Sequence, residues 1–245
     1  MRRWIRIMGV AGLLLISGAN AAERLRLVAD PWAPFTDVNL PNGGLATDIV
    51  STALARAGYV TSYDQVPWAR AILGLGEGRY DVLINAWYTD ERTRIGHFSG
   101  EYLLNRVRFL KRRDAPFDSW TPSMLHRYQV GVVRGYAYSP GFDADAQVRK
   151  VQVQNFSIAA RMLAAGRIDL ILEDEYVARN HLALEEPDVR DALEFLAQPL
   201  SENSLHILVS LKRPDHARVV ERFDAAIAAM KADGSYYELL RRHGF

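Results

Sequence analysis

Apolar residues recur along this chain with two alternating periods. Leu25, Leu27 and Ala29 alternate with Arg24, Arg26 and Val28, which predicts a strand. Between Thr47 and Ala57 the apolar positions Ile49, Val50, Ala53, Leu54 and Ala57 fall three and four apart. That spacing is one helix face, and Gly58 supplies its stop. Asp30-Pro31-Trp32-Ala33-Pro34-Phe35, between these segments, must be loop, because two prolines break regular structure. Residues 60–66 predict a strand, and Pro67 can open a helix running to about Leu75. Residues 102–111 are extended in character and lead into the charged run Lys111-Arg112-Arg113-Asp114, a candidate crossing between lobes. Strands are expected at 129–133, around Val151 and Val153, at 195–200 and at 205–211. Helices are expected at 157–165, 176–184, 214–231 and 236–242. The long helix would bury Val219, Val220, Phe223, Ile227 and Met230.

One string occurs twice in this pattern. Gly78-Arg79-Tyr80-Asp81 precedes Val82-Leu83-Ile84, and Gly166-Arg167-Ile168-Asp169 precedes Leu170-Ile171-Leu172. Each follows a helical pattern, and each apolar run then turns polar, at Asn85 and at Glu173-Asp174. A helix closed by Gly and followed by a short buried strand is half of an α/β unit. Two such units predict an α/β fold with two lobes, each a mainly parallel sheet flanked by helices. Polar residues at the C-terminal ends of such strands lie where open α/β sheets bind ligands. A cleft holding a small molecule is therefore expected between the lobes.

The ends and the composition narrow the setting. Arg2, Arg3 and Arg6, the apolar residues 7–17 and Ala19-Asn20-Ala21 have the order of a secretory signal peptide, assigned to residues 1–21. Mature protein beginning at Ala22 or Glu23 would be soluble and periplasmic. There is no cysteine, so neither a disulfide nor a lipid-bearing cysteine is available. The chain has 30 basic and 29 acidic residues, and loss of the leader arginines makes the remainder slightly acidic. Nucleic acid is not an expected partner, and a monomer is. Nucleophile, metal and phosphate-binding motifs are absent, and the six histidines have no ligand spacing, so no cofactor is expected.

The distinctive cluster is Thr89-Asp90-Glu91-Arg92 followed by Phe98-Ser99. Together with Pro34-Phe35, Gly44 to Asp48, both Gly-Arg-x-Asp strands, Gly131 to Gly135, Asp174 and Asp233-Gly234-Ser235, it resembles the binding proteins of bacterial polar amino-acid ABC importers (family 3 type). The resemblance spans nearly all of the mature chain. It implies a periplasmic-binding-protein fold with a two-segment hinge. Lobe 1 would comprise residues 23–108 plus 203–245, and lobe 2 residues 109–202. It also implies an inner-membrane ABC permease as partner.

The same resemblance implies residue roles. Arg92 would grip the ligand's carboxylate, for which a planar fork of donors is suited. Asp174 would take an ammonium and face Arg92 across the cleft. As an acid at a helix start, it would also be favoured by the helix dipole. Trp32 and Trp68 would set rings against the ligand side chain. The chain departs from the pattern in two places. Asn85-Ala86-Trp87-Tyr88 stands where serines are usual, and Tyr136-Ala137-Tyr138 follows Gly135 where hydroxyl residues are usual. Trp87 and Tyr136 therefore suit a bulkier or differently charged ligand, with Arg134 a candidate to compensate for the lost hydroxyls. Two alternatives stay open. One is a periplasmic enzyme of the cyclic-acid dehydratase kind, with Glu173 as general acid. The other is a module that presents ligand to a membrane receptor.

Overall fold

Each Gly-Arg-x-Asp segment joins a helix to a buried strand in the computed structural model, which describes residues 23–245. The expected leader at 1–21 lies outside the described residues. In chain order the elements are β1 (Glu23–Ala29), α1 (Leu45–Arg56), β2 (Tyr59–Gln65), α2 (Trp68–Gly76), β3 (Val82–Trp87), β4 (Gly96–Phe98) and β5 (Leu103–Arg112). Then come α3 (Pro122–Leu125), β6 (Gln129–Val133), α4 (Pro140–Ala144), β7 (Arg149–Val153), α5 (Phe156–Ala164), β8 (Leu170–Asp174), α6 (Glu175–Leu184) and α7 (Pro187–Arg190). The chain ends with β9 (Leu193–Ser210), α8 (His216–Ala232) and α9 (Ser235–Arg242).

The strand order is β2-β1-β3-β9-β5-β8-β6-β7. β2, β1 and β3 are parallel at one end, and β8, β6 and β7 are parallel at the other. The antiparallel strands β5 and β9 run between the two ends and form the two-segment connection of a two-lobed α/β fold.

The repeated Asp does the same work twice. Asp81 N donates to Arg26 O at 2.9 Å, and Arg26 N donates to Asp81 Oδ2 at 2.8 Å. Asp169 N donates to Gln129 O at 2.9 Å, and Gln129 N donates to Asp169 Oδ2 at 2.8 Å. Each carboxylate thus satisfies a backbone donor of the neighbouring parallel strand. Gly78 and Gly166 have φ of +77° and +68°, the left-handed conformation that ends the preceding helix and that glycine takes without steric cost.

Burial follows the expected faces. Val219, Val220, Phe223, Ile227 and Met230 of α8 are all buried, as are Leu25, Leu27, Val82, Leu83 and Ile84. Each such side chain contributes roughly 1.5–3 kcal/mol when removed from water. One expectation fails. The two strands expected at 195–200 and 205–211 are a single strand, β9. Its polar middle stays paired because β5 supplies partners, Arg106 opposite Glu202 and Asn105 opposite Asn203. The first two residues of the charged run, Lys111 and Arg112, belong to β5 itself. Lys111 is buried within β5 and pairs with Glu194 of β9 at 2.7 Å. No helix among the described residues is long and apolar enough to cross a membrane.

Candidate ligand-binding cleft

The C-terminal ends of β1, β3 and β6 converge between the lobes. Asp30 follows β1, and Trp32 follows two residues later. Asn85 and Trp87 sit two apart on β3, so both face the same side. Arg92 lies in the tight turn after β3, Tyr136 follows β6, and Trp68 opens α2. Together these seven residues line one pocket whose free space is about 10 Å³, no more than about one water. The rings form a box. Trp32 and Trp87 meet edge to face at 5.6 Å, Trp87 and Tyr136 at 5.9 Å, and Trp68 and Tyr136 at 5.7 Å.

Charge inside this box is sparse and strongly desolvated. Asp30 is buried. Its Oδ1 accepts from Asn85 Nδ2 at 2.8 Å and its Oδ2 from the Tyr136 hydroxyl at 2.9 Å. Burial pushes its carboxyl pKa up, while these two donors and the Arg92 charge pull it back. Asn85 Oδ1 is a buried acceptor with no donor, an arrangement that costs free energy unless a further group supplies an N–H or O–H. Arg92 is also buried and lies over the Trp68 ring at 4.8 Å. Its Nη1 donates to Trp87 O at 2.6 Å and its Nη2 to Gly135 O at 3.2 Å. Burial lowers its pKa to about 10, so it stays charged at neutral pH. A guanidinium carries five N–H donors, so donors remain for a ligand.

Six of the eight residues expected from sequence therefore line one pocket: Trp32, Trp68, Asn85, Trp87, Arg92 and Tyr136. The structure does not bring the other two to it. Asp174 is fully buried at the start of α6. Its Oδ1 accepts from the backbone N of Tyr176 and Val177, and its Oδ2 accepts from Asn105 Nδ2 and Arg106 N, at 2.9–3.2 Å. Capping the helix consumes this carboxylate, which therefore does not face Arg92. Burial, opposed by these bonds, raises its pKa to about 6. Arg134 is exposed and lines no part of the pocket, so it does not stand in for the missing hydroxyls. Sequence reasoning passed over Asp30. The signal was present, since a lone acid directly after the apolar strand Leu27-Val28-Ala29 meets the same strand-end criterion applied to Asp174.

Several bonds join the lobes directly. Trp68 Nε1 donates to Gly135 O at 3.0 Å. Trp32 Nε1 donates to Glu173 Oε1 at 3.2 Å, and that oxygen also accepts from Asp174 N at 2.9 Å. Burial raises the Glu173 pKa from 4.5 to about 8, with Asp174 and Asp30 adding to the rise. The folded protein thus keeps a proton that the unfolded chain releases near the ordinary value. Stability from this group is greatest at low pH and is lost as pH rises through about 8. Glu173→Gln retains the accepting oxygen and should remove this slope, worth about 1.4 kcal/mol per unit of displacement. Chemical unfolding at about pH 5, 6.5 and 8 measures it. Parallel profiles for wild type and variant would show that Glu173 is ionised throughout.

Residues 25–245 match the model of the bacterial extracellular solute-binding proteins, family 3. The chain belongs to this family. Among curated relatives of this family 3 protein is the ABC transporter arginine-binding protein 1 of Escherichia coli, 25% identical over 228 residues and covering 91% of each chain. Among solved structures, an ancestral arginine-binding protein bound to arginine superposes with a TM-score of 0.74 at 24% identity, covering 91% of this chain and 98% of that one. A mutant of ArgBP from T. maritima gives 0.75 at 22%, covering 89% and 94%. A histidine kinase sensor domain gives 0.76 at 19%, covering 91% and 97%. At these identities the structural matches speak to the two-lobed fold alone.

Proposed function

We propose that this protein captures a basic amino acid, or a cation derived from one, in the interlobe cleft and hands it to an inner-membrane ABC importer from the periplasm. The observation that carries the reading is Asp30, a buried carboxylate with no cation of its own, set among the rings of Trp32, Trp68, Trp87 and Tyr136 beside the orphan acceptor Asn85 Oδ1. An ammonium or guanidinium satisfies all three features, through charge, N–H donors and cation–π contact. Arg92 is the group left to meet the carboxylate of such a ligand. The curated relative of Escherichia coli, named for arginine binding, agrees with a basic ligand.

Lobe 1 is taken as residues 23–108 with 203–245, and lobe 2 as 109–202. Ligand contacts made from both lobes would favour the closed form, a population shift driven by differential contact. The importer would then read the closed form. Calorimetry with arginine, lysine, ornithine, glutamine and glutamate tests the reading, with tryptophan fluorescence as a second signal. The basic amino acids are expected to bind and to change the emission of Trp32, Trp68 and Trp87. Preferential binding of glutamate or glutamine would sink it.

A further inference from the structure

The cleft is filled by the protein's own groups. Its free space of about 10 Å³ holds no more than about one water. No amino acid enters between these walls as they stand. The segment that fills the cleft is Gly135-Tyr136 of lobe 2, gripped by three side chains of lobe 1. Trp68 Nε1 and Arg92 Nη2 both donate to Gly135 O, at 3.0 and 3.2 Å. The Tyr136 hydroxyl donates to Asp30 Oδ2 at 2.9 Å. The Tyr136 ring stands edge to face against Trp68 and Trp87, 5.7 and 5.9 Å away.

Each contact has a counterpart in an amino acid with a cationic side chain. The Gly135 carbonyl oxygen on Arg92 takes the place of a carboxylate. The Tyr136 hydroxyl on Asp30 takes the place of an ammonium or guanidinium N–H, and its ring takes the place of the apolar stem. The match is incomplete in two respects. A hydroxyl brings no positive charge to Asp30, and nothing donates to Asn85 Oδ1. A ligand cation supplies both. The segment is also placed to move. Gly135 has φ of +79°, in a tight turn closed by Tyr136 N on Val133 O at 3.1 Å. Tyr136 is only half-buried and also borders the solvent-open mouth of the cleft, so its ring has somewhere to go.

We propose that Gly135-Tyr136 is an internal surrogate for the ligand, holding the lobes shut over a self-filled cleft, and that a basic amino acid binds by displacing the Tyr136 hydroxyl from Asp30. This proposal rests on the basic-ligand reading given above. The apparent affinity is then the intrinsic affinity reduced by the fraction of molecules in which Tyr136 has let go. A neutral side chain exchanges one hydrogen bond for another and gains little. A cation adds charge to the exchange and donates to Asn85 Oδ1 as well, so Tyr136 sets a threshold that a cation clears most readily.

Two measurements on the whole protein test this. Tyr136→Phe keeps the ring and removes the hydroxyl, so calorimetry should show it binding arginine about tenfold more tightly than wild type. Equal or weaker binding overturns the surrogate and leaves the basic-ligand reading standing, with Tyr136 a ligand contact or a bystander. Small-angle scattering needs no variant. Wild type without ligand is expected to give the profile calculated from this structure, and arginine to change it little. A free protein clearly more expanded than its arginine complex overturns the shut form. If arginine, lysine and ornithine bind neither wild type nor Tyr136→Phe, the basic-ligand reading fails and displacement by a cation fails with it.

Discussion

Asp30→Asn is expected to weaken binding of a basic amino acid by about 100-fold or more, roughly 3 kcal/mol, without harming the fold. The carboxylate has no cationic partner, and burial is the largest influence on its pKa, which it pushes up. Its charge therefore costs stability in the protein by itself, and an amide at the same place should leave stability equal or raised. The variant amide can still accept from the Tyr136 hydroxyl, although its NH2 must rearrange against Asn85 Nδ2. The split between binding lost and stability kept is the informative result. It is read by calorimetry with arginine alongside thermal unfolding without ligand. Arginine binding within threefold of wild type would mean that the cation is held elsewhere.

Arg92→Ala should be comparably severe. It removes the buried guanidinium that donates to Trp87 O and Gly135 O and stacks on Trp68. The expected loss is about 2–4 kcal/mol for any carboxylate-bearing ligand, from a charge-assisted contact in a closed cleft. Arg92→Lys should recover only part, because one ammonium cannot reach both carbonyls and also present a fork. In contrast to Asp30→Asn, this change also takes a donor from Trp87 O and one of the two side-chain donors from Gly135 O, so stability should fall. Binding of arginine by Arg92→Ala at near wild-type affinity would place the carboxylate contact on backbone N–H groups instead. Arg92 is among the charges that lower the Asp30 pKa, so the two substitutions should not be additive.

Local signals in the sequence were the reliable ones. The strand expected at 129–133 is β6, and the helices at 47–57, 157–165 and 236–242 appear within two residues of their limits. Apolar spacing and terminal glycines carry that information within each segment. β4 and the short helices α3, α4 and α7 were missed, because three to five residues are too few to display a period. β9 was split in two because the polar residues Ser201 to Ser204 are held in a strand by β5, on the order of a hundred residues away. The same division holds in the cleft. Asn85 was placed in the cleft by its position at the end of an apolar run, whereas Arg92 and Trp87 entered through the resemblance. Whether Asp174 faced the cleft or the α6 backbone depended on Asn105 and Arg106 of β5, which no local pattern reveals.

The discontinuous pairing of β3 bears on how the chain is made. On one side β3 pairs with β1, which precedes it closely; on the other it pairs with β9, Val82 against Val209 and Leu83 against Leu208. A chain emerging N-terminus first can complete β6, β7, β8 and α5 from contiguous sequence before β9 exists. Throughout that interval β3 presents an unpaired edge carrying Val82-Leu83-Ile84, an apolar β-forming run with no charge. Aggregation during synthesis and export should therefore concentrate on this edge, and the arrival of β9 is what ends the hazard.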